Sequence, residues 1–160
     1  MKALKKIEEE LDGYEIVVFG CSAETIHYQQ ESNSKGIFYK QVSHDEVLKL
    51  MGSSLIYIGN SNSDGMPNTL LEAICLGAFP IQSNPGGATA EVITYGENGL
   101  LINDCENIIE IRDKIEQALG DQTLLRNAHN FNLELRKKLS YETIKKGVLE
   151  QYASIEETIN

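Results

Sequence analysis

Basic residues are scarce in this chain: 14 Lys and Arg stand against 24 Asp and Glu, for a formal net charge of −10. That balance excludes the positive footprint that nucleic-acid binding requires, and any polyanionic ligand must rely on backbone N–H groups more than on side-chain cations. Long apolar stretches are also missing. No run reaches the roughly 18 consecutive apolar residues that suit a bilayer span, and the N-terminal stretch has no signal-peptide core, so an intracellular setting is expected. Cysteine is confined to Cys21, Cys75 and Cys105, widely spaced and without a C-x-x-C pair, which argues against a disulfide framework or a zinc site. Three nucleotide and hydrolase signatures are absent. Gly20-Cys21-Ser22 does not continue into the G-x-G-x-x-G of a nicotinamide site, no P-loop motif occurs, and no G-x-S-x-G elbow is found. His27, His44 and His129 are scattered, form no ligand or triad set, and read as surface positions.

What is present is an alternation of short apolar runs and helical periods. The 160 residues suit one domain with a real core, and 41% hydrophobic with 24% charged residues is ordinary for a globular chain. A helical period covers 4–11, and the β-branched and aromatic run 15–19 predicts a buried strand ending at Gly20. Further strands are predicted over 36–39, 55–58, 79–82 and 100–102. Ser43 caps a helix through Met51, with Glu46 placed to complete a capping box. Cys75, on the apolar helix after residue 69, reads as core packing. Helices over about 107–119, 122–139 and 141–158 close the chain, the first with Gly120 at its C-cap. Strands buried on both faces that alternate with helices predict an α/β fold, a three-layer, Rossmann-like, doubly wound parallel sheet. Ligands bind such sheets beyond the carboxyl ends of the strands, where the loops after Phe19, Ile58 and Gln82 would open.

One of those loops carries the densest chemical information. Residues 64–72 read DGMPNTLLE, in which Gly65 and Pro67 punctuate a turn. Asn68 and Thr69 are N-cap candidates before the apolar run Leu70, Leu71, Ala73, Ile74 and Leu76. A loop running into a helix N-terminus collects free N–H groups and the positive end of the helix dipole, which suits an anion. Asp64 lies on the approach, and Glu72, predicted in the first turn, can accept two hydrogen bonds from a vicinal diol. Phosphate flanked by polyols describes a sugar nucleotide. The plainer alternative is a solvated turn at Asp64 and a dipole partner at Glu72.

The stretch SNSDGMPNTLLEAICLGAFPIQSNPGG followed by AEVITYGENGLLIND resembles the nucleotide-sugar-binding, C-terminal half of the retaining glycosyltransferases of family 4 (group 1), which have the GT-B fold. The resemblance rests on an ordered set: the paired acids Asp64 and Glu72, the small-residue helix ending at Gly77, Pro80, Gly86 with Gly87, Glu91, and the Gly96 to Leu100 turn. It departs in one place, since the first acid of the pair is usually Glu and here is Asp64. By this resemblance the chain corresponds to a single nucleotide-sugar-binding domain over 1–160, lacking the acceptor domain, the first strand and the Arg or Lys and second Lys that family members usually carry at the end of that strand to bind the diphosphate. Lys2, Lys5 and Lys6 read as surface positions of the following helix and do not inherit that role.

The resemblance implies transfer of a sugar from an NDP-sugar to an acceptor hydroxyl with retention, the isolated chain itself being inactive. Asp64 and Glu72 are then the catalytic-site acids, Glu72 on the ribose diol and Asp64, with the backbone of Gly65 and Met66, on the transferred sugar. Asn68, Thr69 and Leu70 present N–H groups to the diphosphate beside Pro67. Gln41 and Val42 lie where the family grips the base, Val42 equally suiting ordinary core, and Gly20, Gly86 and Gly87 permit close ligand approach or merely turn the chain. No D-x-D motif occurs, Asp104-Cys105-Glu106 being the nearest approach, so no metal or other cofactor is expected. The acceptor, a glycan or lipid-linked glycan, would be met through the absent domain, in polysaccharide or glycolipid synthesis at the cytoplasmic face of the membrane. A non-catalytic sugar-nucleotide-binding or protein-interaction module is the competing reading.

Overall fold

The computed structural model describes residues 1–159, and the side chains of residues 1–156. All five strands are parallel, as predicted, but they form two sheets. β1 (Val17–Phe19) pairs with β2 (Ile37–Tyr39), and β3 (Ile56–Gly59), β4 (Phe79–Ser83) and β5 (Leu100–Ile102) form a second sheet in the order β3-β4-β5. Val17 lies opposite Ile37, Ile58 opposite Ile81, and Ile81 opposite Leu100. The expected α/β, Rossmann-like parallel architecture holds, with its strands divided between a two-stranded and a three-stranded sheet. Alternation of apolar residues reports a strand but not which of its edges finds a neighbour.

Among the described residues seven helices accompany the strands: α1 (Lys2–Lys6), α2 (Ala23–Ser32), α3 (His44–Ser53), α4 (Asn68–Leu76), α5 (Ile108–Gly120), α6 (Gln122–Lys138) and α7 (Tyr141–Ile159), with a 3-10 turn at Ala88–Glu91. Most begin where a side chain relieves an orphan N–H. Ser22 accepts from Thr25 N, Ser43 from Glu46 N, Asn107 from Glu110 N and Asp121 from Leu124 N. At Ser43 the capping box is half made, because the Glu46 carboxylate turns to Lys49 at 3.4 Å. α1 starts earlier and stops sooner than the 4–11 period suggested. Gly120 is the last residue of α5, and Asp121 takes the C-cap position while capping α6. Gly77 ends α4 at φ 92°, a left-handed conformation in which a Cβ would be strained.

The two helical layers follow from β-alternation. Ile56, Phe79, Ile81, Leu100 and Ile102 turn to one face, where they meet Ile7, Leu11, Ile115 and Ala118 of the α1 and α5 region and Leu124, Leu125 and Ala128 of α6. Tyr57 turns to the other face, toward Met51 of α3 and Ala73 of α4. Each fully buried Leu or Ile contributes roughly 2 kcal/mol of transfer free energy, so β4, buried at all five positions, anchors the domain. The turn 96–100 is fastened from below. Asn98 is fully buried, donating to Val92 O at 2.9 Å and to Asn132 Oδ1 at 3.0 Å, while Asn132 Nδ2 donates to Asn98 O at 3.2 Å. A Cβ at Gly99 would stand 2.8 Å from Pro80 Cγ, so this turn and β4 touch through backbone.

Candidate functional site

The loops after β3, β4 and β5 meet at the entry to α4, and His44 brings the loop after β2 to it, whereas nothing ties Gly20, after β1, to this group. The 60–67 loop leaves β3 and is stitched to its neighbours. Ser61 N donates to Ser83 Oγ at 2.8 Å, Asn60 Nδ2 donates to Cys105 O at 2.8 Å, and an added Cβ on Gly86 would lie 3.4 Å from Asp64 O. The loop after β4 is held by Thr89, 1% exposed, which donates to Asn84 Oδ1 or to Ser83 O. Asp64, Gly65 and Asn68 are exposed, Met66 and Thr69 are half-buried, and Pro67 and Leu70 are buried.

α4 opens without a side-chain cap. Pro67 occupies the N-cap position, so neither Asn68 nor Thr69 caps, and the first turn holds no acid. Glu72 accordingly sits beyond the first turn. The reason is local: Thr69 Oγ1 accepts the Tyr57 hydroxyl at 2.9 Å instead of turning back to the helix end. Leu70 N donates to Pro67 O at 3.1 Å, so its N–H is committed within the chain and leaves the expected diphosphate-binding set. The forward amides of Asn68 and Thr69, with the dipole behind them, are the electropositive element of the site.

The paired acids flank that element. Glu72, its side chain 27% exposed, meets His44 Nε2 at 2.8 Å. His44 begins α3, two residues after Val42, so this contact ties the loop bearing Gln41 and Val42 to Glu72 across 28 positions of sequence. Gln41 is exposed and Val42 half-buried. Burial pushes the Tyr57 hydroxyl up, the Thr69 bond opposes this, and the negative charges of Asp64 and Glu72 add to the rise. Gly20, at φ 69°, and Gly87, at φ 82°, are exposed and open around their Cα, whereas Gly86 has no positive φ.

Sequence reasoning missed two participants. His44 is a surface residue as expected, its side chain 66% exposed, but its pairing with Glu72 emerges only from the packing of α3 on α4. Gln82, 2% exposed at the carboxyl end of β4, keeps a buried Oε1 without a hydrogen-bond partner among the described residues. Its carboxamide lies against the backbone of Gly59, where any side chain would collide with it. Cys75, expected in the core, is half-buried, and burial raises its thiol. Among the described residues no group of three His, Cys, Asp or Glu is placed to hold a metal ion, and no helix is long and apolar enough to cross a membrane.

A cavity of about 1150 Å³ lies between the two sheets and is lined by neither Asp64 nor Glu72. The candidate site is instead an open surface of loops. Its order along the chain is matched by a known family, since the sequence model for "Glycosyl transferases group 1" covers residues 1–146. The chain belongs to this family. A curated relative, an exopolysaccharide phosphotransferase of Streptomyces coelicolor, is 34% identical over 77 residues, 47% of this chain and 8% of that protein. The chain therefore spans under a tenth of the length of that relative. Among solved structures, the C-terminal domain of a group 1 family glycosyl transferase (LpcC) from Francisella tularensis superposes with a TM-score of 0.71 at 19% identity, over 86% of this chain and 75% of that one. S. aureus TarM, in complex with fondaparinux, α-GlcNAc-glycerol and UDP, gives 0.77 at 17% identity, over 96% of this chain and 31% of that one. These likenesses show a shared α/β fold of the GT-B C-terminal kind. Within this group 1 chain, Pro80, Asn98 and Gly99 from the ordered motif set serve the scaffold, fixing the turn before β5 against β4 and α6.

Proposed function

We propose that this chain is the donor-binding half of a retaining, metal-independent glycosyltransferase of family 4 that moves a sugar from an NDP-sugar to an acceptor hydroxyl. The observation that carries this reading is the uncapped α4 N-terminus flanked by Asp64 and by a Glu72 joined to His44. Asn68 and Thr69 amides hold the diphosphate and stabilise its charge as it departs, the largest service a protein gives such a reaction. Glu72 takes the ribose diol. Asp64, with Gly65 and Met66, orients the transferred sugar. Gln41 and Val42 border the base, which the His44 contact sets at a fixed distance from the ribose acid. Gly20, Gly86 and Gly87 give the ligand room. The acceptor, a glycan or lipid-linked glycan, is brought by a second domain, in polysaccharide or glycolipid synthesis at the cytoplasmic membrane face. The association of the S. aureus relative with UDP supports a uridine donor.

The test is calorimetric or amide-shift titration with UDP, GDP and their sugars. At least one nucleotide is expected to bind saturably at about millimolar Kd or tighter, with Glu72→Ala weakening it by about tenfold, or 1.4 kcal/mol. Equal titration of parent and Glu72→Ala would remove the site. The competing reading is a module that binds a sugar nucleotide without turnover. Binding with no donor hydrolysis, once a second domain is supplied, selects that reading.

A further inference from the structure

Most ion pairs among the described residues are local, joining side chains three or four positions apart. Glu72 has no such neighbour. The positions three and four away from it on α4 hold Asn68, Thr69, Cys75 and Leu76, none of them a cation. Its carboxylate is held from another helix instead, by His44 Nε2 at 2.8 Å, and among the described residues it has no second hydrogen-bond partner. An ionised carboxylate only accepts, which assigns the N–H of the ring to Nε2. The bond is made at the rim, with the Glu72 side chain 27% exposed and that of His44 66%. Exposed pairs of this kind add little to stability, so what the contact supplies is orientation. Its mount is firm. His44 is the first residue of α3, whose N-terminus is closed by Ser43, with Ser43 Oγ accepting from Glu46 N and Ser43 O from Val47 N.

We propose that His44 is the positioning residue of the ribose acid: its Nε2–H fixes Glu72 Oε1, so that the carboxylate meets a vicinal diol already oriented and the site selects ribonucleoside over 2′-deoxyribonucleoside diphosphates. This rests on the reading of Glu72 as the diol acceptor. A carboxylate offers about four lone-pair sites, of which the ring takes one, so both oxygens can still accept the two hydroxyls. The torsions of the Glu72 side chain are settled before the ligand arrives, and their ordering is not charged to binding. Selectivity follows from the same restraint. A mobile carboxylate re-aims at the one hydroxyl that a deoxyribose keeps, whereas a fixed one is left with an unmatched oxygen. The choice of imidazole fits this task. A Lys ammonium would bring three donors on a flexible stem and compete with the diol for the same lone pairs, while Nε2 brings a single donor on a rigid ring.

Calorimetric titration of the chain with UDP, 2′-deoxy-UDP, GDP and 2′-deoxy-GDP tests this. The base that binds the parent should bind about tenfold more tightly in its ribo form, and Glu72→Ala should abolish the difference. His44→Phe keeps a ring on α3 without the donor, and should reduce the preference to about threefold or less, the factor set by immobilising one flexible side chain. His44→Gln carries an N–H at the same number of bonds from the backbone as Nε2 and should restore the preference; the shorter His44→Asn should not. His44→Phe combined with Glu72→Ala should lose no more than Glu72→Ala alone. Melting of the ligand-free His44 variants should stay within about 4 °C of the parent, and a larger fall would make the pair a tether of α3 to α4 and overturn the positioning role. A ribo preference that persists in His44→Phe but vanishes in Glu72→Ala overturns that role and leaves the ribose assignment standing. Equal weakening of ribo and deoxy forms by His44→Phe also overturns it, by placing His44 against another part of the nucleotide. No saturable binding of any of the four, or a ribo preference that survives Glu72→Ala, overturns the reading of Glu72 and this inference with it.

Discussion

β4 is buried at every position, whereas β1 is half-exposed throughout and β2 has two of its three residues exposed, although all three strands are apolar or nearly so. The two sheets differ in neighbours more than in composition. β4 has a strand on each edge and a helical layer on each face, and its residues vanish from solvent. β1 has a strand on one edge only and a cavity on the other. A hydrophobic run licenses a strand, and burial is then decided by what stands on both sides of it.

The largest test of this contrast compares cavity-creating substitutions. Ile81→Ala, in a side chain with no exposure, should lower the free energy of unfolding by about 2–5 kcal/mol in urea denaturation. Val18→Ala in half-exposed β1 should cost roughly 1 kcal/mol, in proportion to the area it covers. Equal losses would erase the distinction between the sheets.

A second test sharpens it by removing a buried polar tie on the three-stranded side. Asn98→Ala leaves Asn132 Oδ1 and Val92 O without the donor that serves them, for about 1–3 kcal/mol. Asn132→Ala should do nearly the same. A double-mutant cycle should show that the two losses are far from additive, because one shared connection is broken either way.

The smallest effect concerns pH. Burial raises the Glu110 carboxyl, but hydrogen bonds from Asn103 N, Asp104 N and Asn103 Nδ2 outweigh it and hold it below its ordinary value of 4.5. A depressed carboxyl stabilises the fold fully above that ordinary value and loses its contribution as pH falls through the depressed one. Thermal melts of Glu110→Gln should therefore lie below the parent near neutrality by about 1 kcal/mol or less, Glu110 being only half-buried. The two should converge in acid. A gap that persists in acid would assign the effect to something other than the carboxylate.

Much of the architecture was legible before the structure. Strand positions, the α3 cap at Ser43 and the three closing helices follow from apolar period and punctuation. α2 was not legible, because none of its residues is buried and the sequence AETIHYQQES carries no apolar stripe to reveal it. Its only advertisements are Ser22 at one end and the left-handed Asn33 at the other. At the candidate site the acid pair was visible because both residues lie in one short stretch. His44 was not, since its partner stands on another helix, and the cap of α4 was misassigned because Thr69 had a competing partner in Tyr57. Local grammar reports local bonds, and it falls silent when a side chain chooses between a near group and a far one.

The open N-terminus of α4 has a practical consequence. A helix end that forgoes its usual oxygen acceptor gives up about 1 kcal/mol, and an anion seated there restores it and adds more in proportion to its occupancy. Ligand and fold are thereby linked. A simple melting screen of phosphate-bearing metabolites, read as an upward shift in Tm, would identify the natural occupant with no assay of turnover at all.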